Sequence, residues 1–221
     1  ALALGRVLAQ EYRRALDRSR ALPTRDLREA RERELARDLR DPALEFLRRG
    51  APAALESPAF HEALVAQIEG RWELAERKAR EALDQTPWLY EAKRLEGEAL
   101  LEQARAAQDP IRALACLERA EPVFEAALRL APSDPATALG HMKAQVERLS
   151  WELASGHSGD ASLDRCRALL AQVLALAPGE AEAKAQLARA LGRWAELRPP
   201  QAPATQAAFK EAEALSREAL A

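Results

Sequence analysis

The chain has 221 residues and a formal charge of −2, from 33 Lys plus Arg against 35 Asp plus Glu. Ala (51) and Leu (35) dominate the apolar positions, while Val and Ile together number seven. Strands draw on β-branched and aromatic side chains, whereas Ala, Leu, Arg and Glu lose little rotamer freedom in a helix, so the composition predicts an all-α protein. No apolar run approaches the length of a membrane span, and the first residues, ALALGRVL, lack the positive start and long apolar core of a signal peptide. Two cysteines, Cys116 and Cys166, imply no disulfide framework and fit a reducing compartment, which makes cytoplasmic the expected location. Residues 1–50 hold 13 basic and nine acidic side chains, interleaved, a pattern that predicts neither a nucleic-acid nor a membrane partner.

In chain order, residues 1–57 do not repeat. Leu4, Leu8, Tyr12 and Leu16 fall on one helical stripe, and Leu27, Leu35 and Leu39 on another, divided by Leu22-Pro23-Thr24. A short helix is expected at 42–49, ending at Gly50 and Pro52. Two amphipathic helices before a repetitive region read as its cap. A linker from an upstream domain is the other reading, and the absent initiator Met, which hints at a fragment of a longer chain, fits it.

Beyond residue 57 the sequence repeats. The segments ending at Pro87, Pro132 and Pro178 align, with prolines 45 and 46 residues apart, and a fourth copy closes at Glu218-Ala219-Leu220. Such a period means stacked copies of one helix–turn–helix unit. The expected units are 58–87, 88–132, 133–178 and 179–221. Asp41-Pro42, Ser57-Pro58, Thr86-Pro87, Asp109-Pro110 and Asp134-Pro135 each pair a capping side chain with a proline suited to the first helical position, so five helix starts are expected there. Pro122 falls inside an expected helix and predicts a kink or a break.

The stretch Gln67–Ala75, with Gly70 at the turn and Trp72 at the next helix start, continues through Ala79, Ala82, Leu83 and Pro87 and resembles the second half of a tetratricopeptide repeat. Glu91–Leu100, with Gly97 and Ala99, resembles the first helix of the next repeat, and Ala181 through Leu191 resembles it again. The period is longer than the family's usual ~34 residues, which lengthens both helices and the turns near 105–110, 155–160 and 198–204. Long-helix repeats of this kind resemble the arrays carried by multidomain bacterial serine/threonine kinases. HEAT-type repeats share the period, but the small-residue positions and the Ala-Leu-x-x-x-Pro endings favour the tetratricopeptide type. The resemblance implies a right-handed superhelical array of antiparallel helix pairs, an α-solenoid, with N-terminal capping helices over 1–57 and the array over 58–221.

No catalytic or cofactor chemistry is legible. His61-Glu62 opens like a zinc-protease helix, yet Val65 stands where the second ligand belongs, and His141 and His157 have no partners at ligand spacing. Gly156-His157-Ser158-Gly159-Asp160 lacks the final Gly of a nucleophile elbow and reads as a turn, with Asp160 capping the next helix. Phosphate-cradle and kinase signatures are absent from this sequence, so the chain is not expected to be an enzyme. Cys116 and Cys166 read as small packing residues, Trp72 and Trp88 as packing residues between the first two units, and Trp151 and Trp194 as half-exposed candidates for function.

What the resemblance implies is a protein–protein interaction surface. Tetratricopeptide arrays line a concave groove with the first helix of each pair, which points to Glu91, Arg94, Glu98 and Leu101, then Glu182, Ala185, Arg189 and Arg193. Leu139, Lys143, Val146 and Glu147 follow from a less certain register in the third unit. The expected partner is a protein or peptide, and no cofactor or metal is expected. With no Asn in the sequence, the Lys/Asn carboxylate clamp of chaperone-binding relatives cannot be assembled. Phe209, Ala212, Leu215 and Leu220 form an apolar stripe on the last helix and leave homo-oligomerisation through it open.

Overall fold

The computed structural model describes residues 1–20, 22–51 and 57–220, and within them it is helical throughout, with no strand. It contains two compact units, Ala1–Pro87 and Trp88–Ala221.

The first unit holds α1 (Leu2–Ser19), α2 (Arg25–Leu35), α3 (Asp41–Gly50), α4 (Pro58–Ile68) and α5 (Trp72–Gln85). Thr24 caps α2 by accepting the Leu27 amide, as Leu22-Pro23-Thr24 suggested. The start expected at Asp41-Pro42 is different. The chain is already helical there, because a π-helical segment, Ala36–Arg40, runs from α2 into α3 and no side chain caps the junction. The wider turn sits directly before Pro42, whose missing N–H disrupts the ordinary pairing pattern. Ala9 of α1, Ala43, Leu44 and Leu47 of α3 and Ile68 of α4 share one core. Gly5 and Gly50 let α1 and α3 approach closely, since a Cβ at either would lie within 3 Å of the facing helix. Ser57 caps α4 by accepting the Phe60 amide, and Gly70 at φ +72° turns the chain into α5. Pro52 lies outside the described residues.

The second unit holds three helix pairs. These are α6 (Tyr90–Ala106) with α7 (Pro110–Leu130), α8 (Pro135–Ala154) with α9 (Asp160–Leu176), and α10 (Ala181–Glu196) with α11 (Pro203–Leu220). Asp109 caps α7 through the Arg112 amide, and Asp134 caps α8 through the Thr137 amide and hydroxyl. Thr86-Pro87 does not start its helix: α6 begins at Tyr90, behind Leu89 with no side-chain cap. Pro122 does not break α7, which continues from Pro110 to Leu130. The carbonyl it leaves without an amide belongs to Glu118, an exposed residue, so water can satisfy it.

Successive first helices lie side by side, α6 against α8 and α8 against α10, while each also packs on its own pair partner. Small residues make this spacing possible. Phe124 of α7 is fully buried between Gly97 of α6 and Gly140 of α8, and a Cβ on either glycine would come within 2.9 Å of its ring. A second core spans α8 to α11 through Met142, Leu149, Cys166, Val173, Leu187, Leu191 and Ala208.

Candidate partner-binding surface

Helical periodicity places the candidate residues of α6, α8 and α10 on the row that these first helices form. Arg94 on α6 reaches across to Asp134 at the start of α8 (2.9 Å), with Glu98 one turn along its own helix at 3.8 Å. Lys143 on α8 meets Glu182 on α10 at 2.5 Å. Arg105 on α6 bridges to Glu147 on α8 (3.4 Å) and to Glu102 (2.6 Å). The structure therefore ties much of the predicted charge into cross-links between neighbouring repeats. Glu91 is half-buried in the first turn of α6. Arg189 is exposed on α10 and donates to Gln186 one turn back. Arg193, one turn further, is exposed and makes no ion pair among the described residues.

Two candidates are not on this surface. Leu101 is only 3% exposed and packs in the core of α6 and α7 with Leu100, Leu117 and Phe124. Val146 is likewise buried, in the core shared by α8, α9 and α10. A helix with neighbours on three sides has a wide apolar arc, and spacing alone does not say where that arc ends. Leu139 is partly buried against the same core, and Ala185 is exposed.

Sequence reasoning overlooked Asp134 and Arg105 as partners of the row, although Asp134 was marked as a cap. It also assigned Asp160 the wrong work. Gly159, at φ +67°, precedes α9 without a side-chain cap, and the Asp160 carboxylate instead accepts the Trp194 indole N–H (2.8 Å) and an Arg198 N–H (2.7 Å). Arg198 stacks on the Trp194 ring at 3.6 Å and also donates to the Ser158 carbonyl. The indole donor first, then the guanidinium, hold the Asp160 carboxyl below its ordinary pKa. This cluster joins the turn between α8 and α9 to the end of α10. Trp88, expected to pack, is 73% exposed, whereas Trp72 is half-buried.

Among the described residues no group of three His, Cys, Asp or Glu side chains could hold a metal ion, and no helix is long and apolar enough to cross a membrane. Neither cysteine is in a disulfide, both are buried, and desolvation pushes the Cys166 thiol up to about 12. Burial keeps both thiols from a disulfide reagent, and at Cys166 the raised pKa also withholds the reactive thiolate, so neither should react quickly in the native protein at about pH 7.5. Both should react within the unfolding transition in denaturant; fast labelling without denaturant would contradict the packing.

The chain's helical fold finds counterparts among solved structures. MamA residues 41 to the end from Desulfovibrio magneticus RS-1 aligns over 95% of this chain and 96% of its own, with a TM-score of 0.52 and 18% identity. TTC0263, a thermophilic TPR protein in Thermus thermophilus, aligns over 82% of this chain and 94% of its own, with a TM-score of 0.52 and 21% identity. The fold is of the tetratricopeptide type. A MamA RS-1 double mutant gives a TM-score of 0.50 at 18% identity, over 95% of each chain. No protein-family model and no curated protein sequence matches the chain.

Proposed function

We propose that the chain is a non-catalytic interaction module that binds a protein or peptide segment along the row formed by α6, α8 and α10. On this reading it is a regulatory part of a larger bacterial signalling protein such as a serine/threonine kinase, works in the cytoplasm, and has residues 1–57 as the cap of its array. The supporting observation is the state of the row's charges. Arg94, Arg105 and Lys143 are spent on holding repeats together, while Arg193 stands exposed on α10 with no ion pair among the described residues. A planar guanidinium there suits a carboxylate of a partner, with Glu91 in the first turn of α6 on the same row.

The test contrasts stability with affinity. Arg193→Glu should change the unfolding free energy by less than about 0.5 kcal/mol, as exposed substitutions do. It should weaken a peptide selected from a display library against the full chain by about 1–2 kcal/mol or more. Arg94→Ala should instead cost about 1 kcal/mol of stability, because its partly buried bridge ends on the Asp134 cap. Equal affinity for wild type and Arg193→Glu would remove α10 from the binding surface.

Self-association, or packing of a neighbouring domain, is the second reading, and one observation favours it. On α11, Ala212 and Leu215 pack inward, but Phe209 is 44% and Leu220 90% exposed. A dimer by light scattering that Phe209→Asp converts to monomer would select this reading.

A further inference from the structure

His141 takes no part in the surface described above, yet it occupies the junction of the first two helix pairs of the second unit. Its ring lies nearly parallel to that of Phe124, with centroids 5.8 Å apart and planes 14° apart. Phe124 is the residue lodged between Gly97 and Gly140, so this stack sits where α6, α7 and α8 meet. His141 is 7% exposed, and neither ring nitrogen has a hydrogen-bond partner. One turn along α8, the Gln145 side-chain oxygen is also buried without a partner.

We propose that His141 is an acid-sensitive latch, neutral when the α6/α7 pair is closed on α8 and driving the two apart when it takes up a proton. A charged imidazolium would have no protein acceptor within reach of either nitrogen in this buried position. The charges acting on it are Glu121 and Glu125 of α7 and Arg165 of α9; α6 and α10 supply none among the described residues. Glu121 is not available to receive it, since its oxygens are held by Arg165 (2.6 Å) and Arg148 (3.2 Å). Glu125 is exposed, and its attraction is opposed by Arg165.

Burial comes first among the influences and lowers the His141 pKa, outweighing the two glutamates. A histidine whose folded pKa lies below its unfolded value stabilises the fold fully above the unfolded value, near 6.5. That stability is lost as pH falls from there through the folded value, because protons then favour the open state. The latch closes above neutral pH and loosens in weak acid. Opening would also separate Arg94 from Asp134 and Arg105 from Glu147, the bridges that join α6 to α8.

Both cysteines lie in this unit and are buried, so their labelling reads its opening. The full chain is treated with 4,4′-dithiodipyridine, which reacts in weak acid, from pH 7.5 to 5.0. Divided by the rate for the urea-unfolded chain at the same pH, which removes the fall in thiolate as pH drops, wild-type labelling should rise several-fold, by at most tenfold per pH unit for one coupled proton. His141→Phe, which keeps an aromatic stack without a titrating group, should lose most of that rise. His61→Phe, at the buried histidine of the first unit, should keep it. A rise that survives in His141→Phe, or disappears in His61→Phe, overturns the proposal. Should His141→Phe fail to fold, the wild-type ring is titrated by NMR through its carbon-bound proton, and a His141 pKa at or above 6.5 overturns the proposal equally.

Discussion

Replacing Phe124 by Ala should lower the unfolding free energy of the second unit by about 3–5 kcal/mol, the range for truncating a fully buried aromatic side chain. The upper part of that range is expected, because the ring fills space that two glycines leave open and the helices on either side cannot close over it. Urea denaturation followed by thiol labelling would measure it, since Cys116 and Cys166 both report on this unit. A coupled outcome tests the cause. Gly140→Ala alone should destabilise, because its Cβ would meet the Phe124 ring at 2.8 Å. In the Phe124→Ala background the same substitution should stabilise by up to ~1 kcal/mol, as Ala is the better helix former and the obstacle is gone. A destabilisation of equal size in both backgrounds would show that Phe124 is not what makes glycine necessary at 140.

The second large effect is expected at Gly159. Its φ of +67° disfavours any side chain by about 1–2 kcal/mol. A Cβ there would also lie 2.4 Å from Leu149 Cδ1 and 3.2 Å from Leu153 Cδ2, adding an overpacking cost of about 1–3 kcal/mol. Gly159→Ala should therefore cost roughly 2–5 kcal/mol in all. Gly156 provides the control within the same turn. It has a φ of +81° but nothing within 4 Å of its would-be Cβ, so Gly156→Ala should cost only the conformational part. Comparable midpoints for the two variants in chemical denaturation would show that Gly159 is required for its backbone angle and not for the approach of α8.

The candidate surface rests on a charge pattern, and such a pattern records only part of what the charges do. Arg94, Lys143 and Glu182 were found because they fall at helical spacing on the first helices of their pairs. Their spacing could not reveal that Arg94 bridges to Asp134 and Lys143 to Glu182, since those partners lie 40 and 39 residues away along the chain. Leu101 was misplaced for a related reason: apolar residues on a helix wrapped by several neighbours cover more than half its circumference, so a leucine's side cannot be read from its position. Asp160 and Trp194 were each singled out, but not as partners: with Arg198 they form a cluster from the start of α9 and the end of α10 that only packing brings together.

Residue order was enough to establish that this protein is helical, where most of its helices begin, and that they form pairs on a 45–46-residue period. These are local properties: helix propensity, the Ser57, Asp109 and Asp134 caps, and apolar spacing act within a few residues. Which charges are consumed between repeats came from packing, as did the continuation of α2 into α3 through a π-helical segment and the tolerance of Pro122 within α7. Packing also seals His141 against Phe124 without a hydrogen-bond partner. In the second unit, the close approach of α6, α7 and α8 that buries His141 follows from the volumes of Gly97, Gly140 and Phe124 as they meet across these three helices.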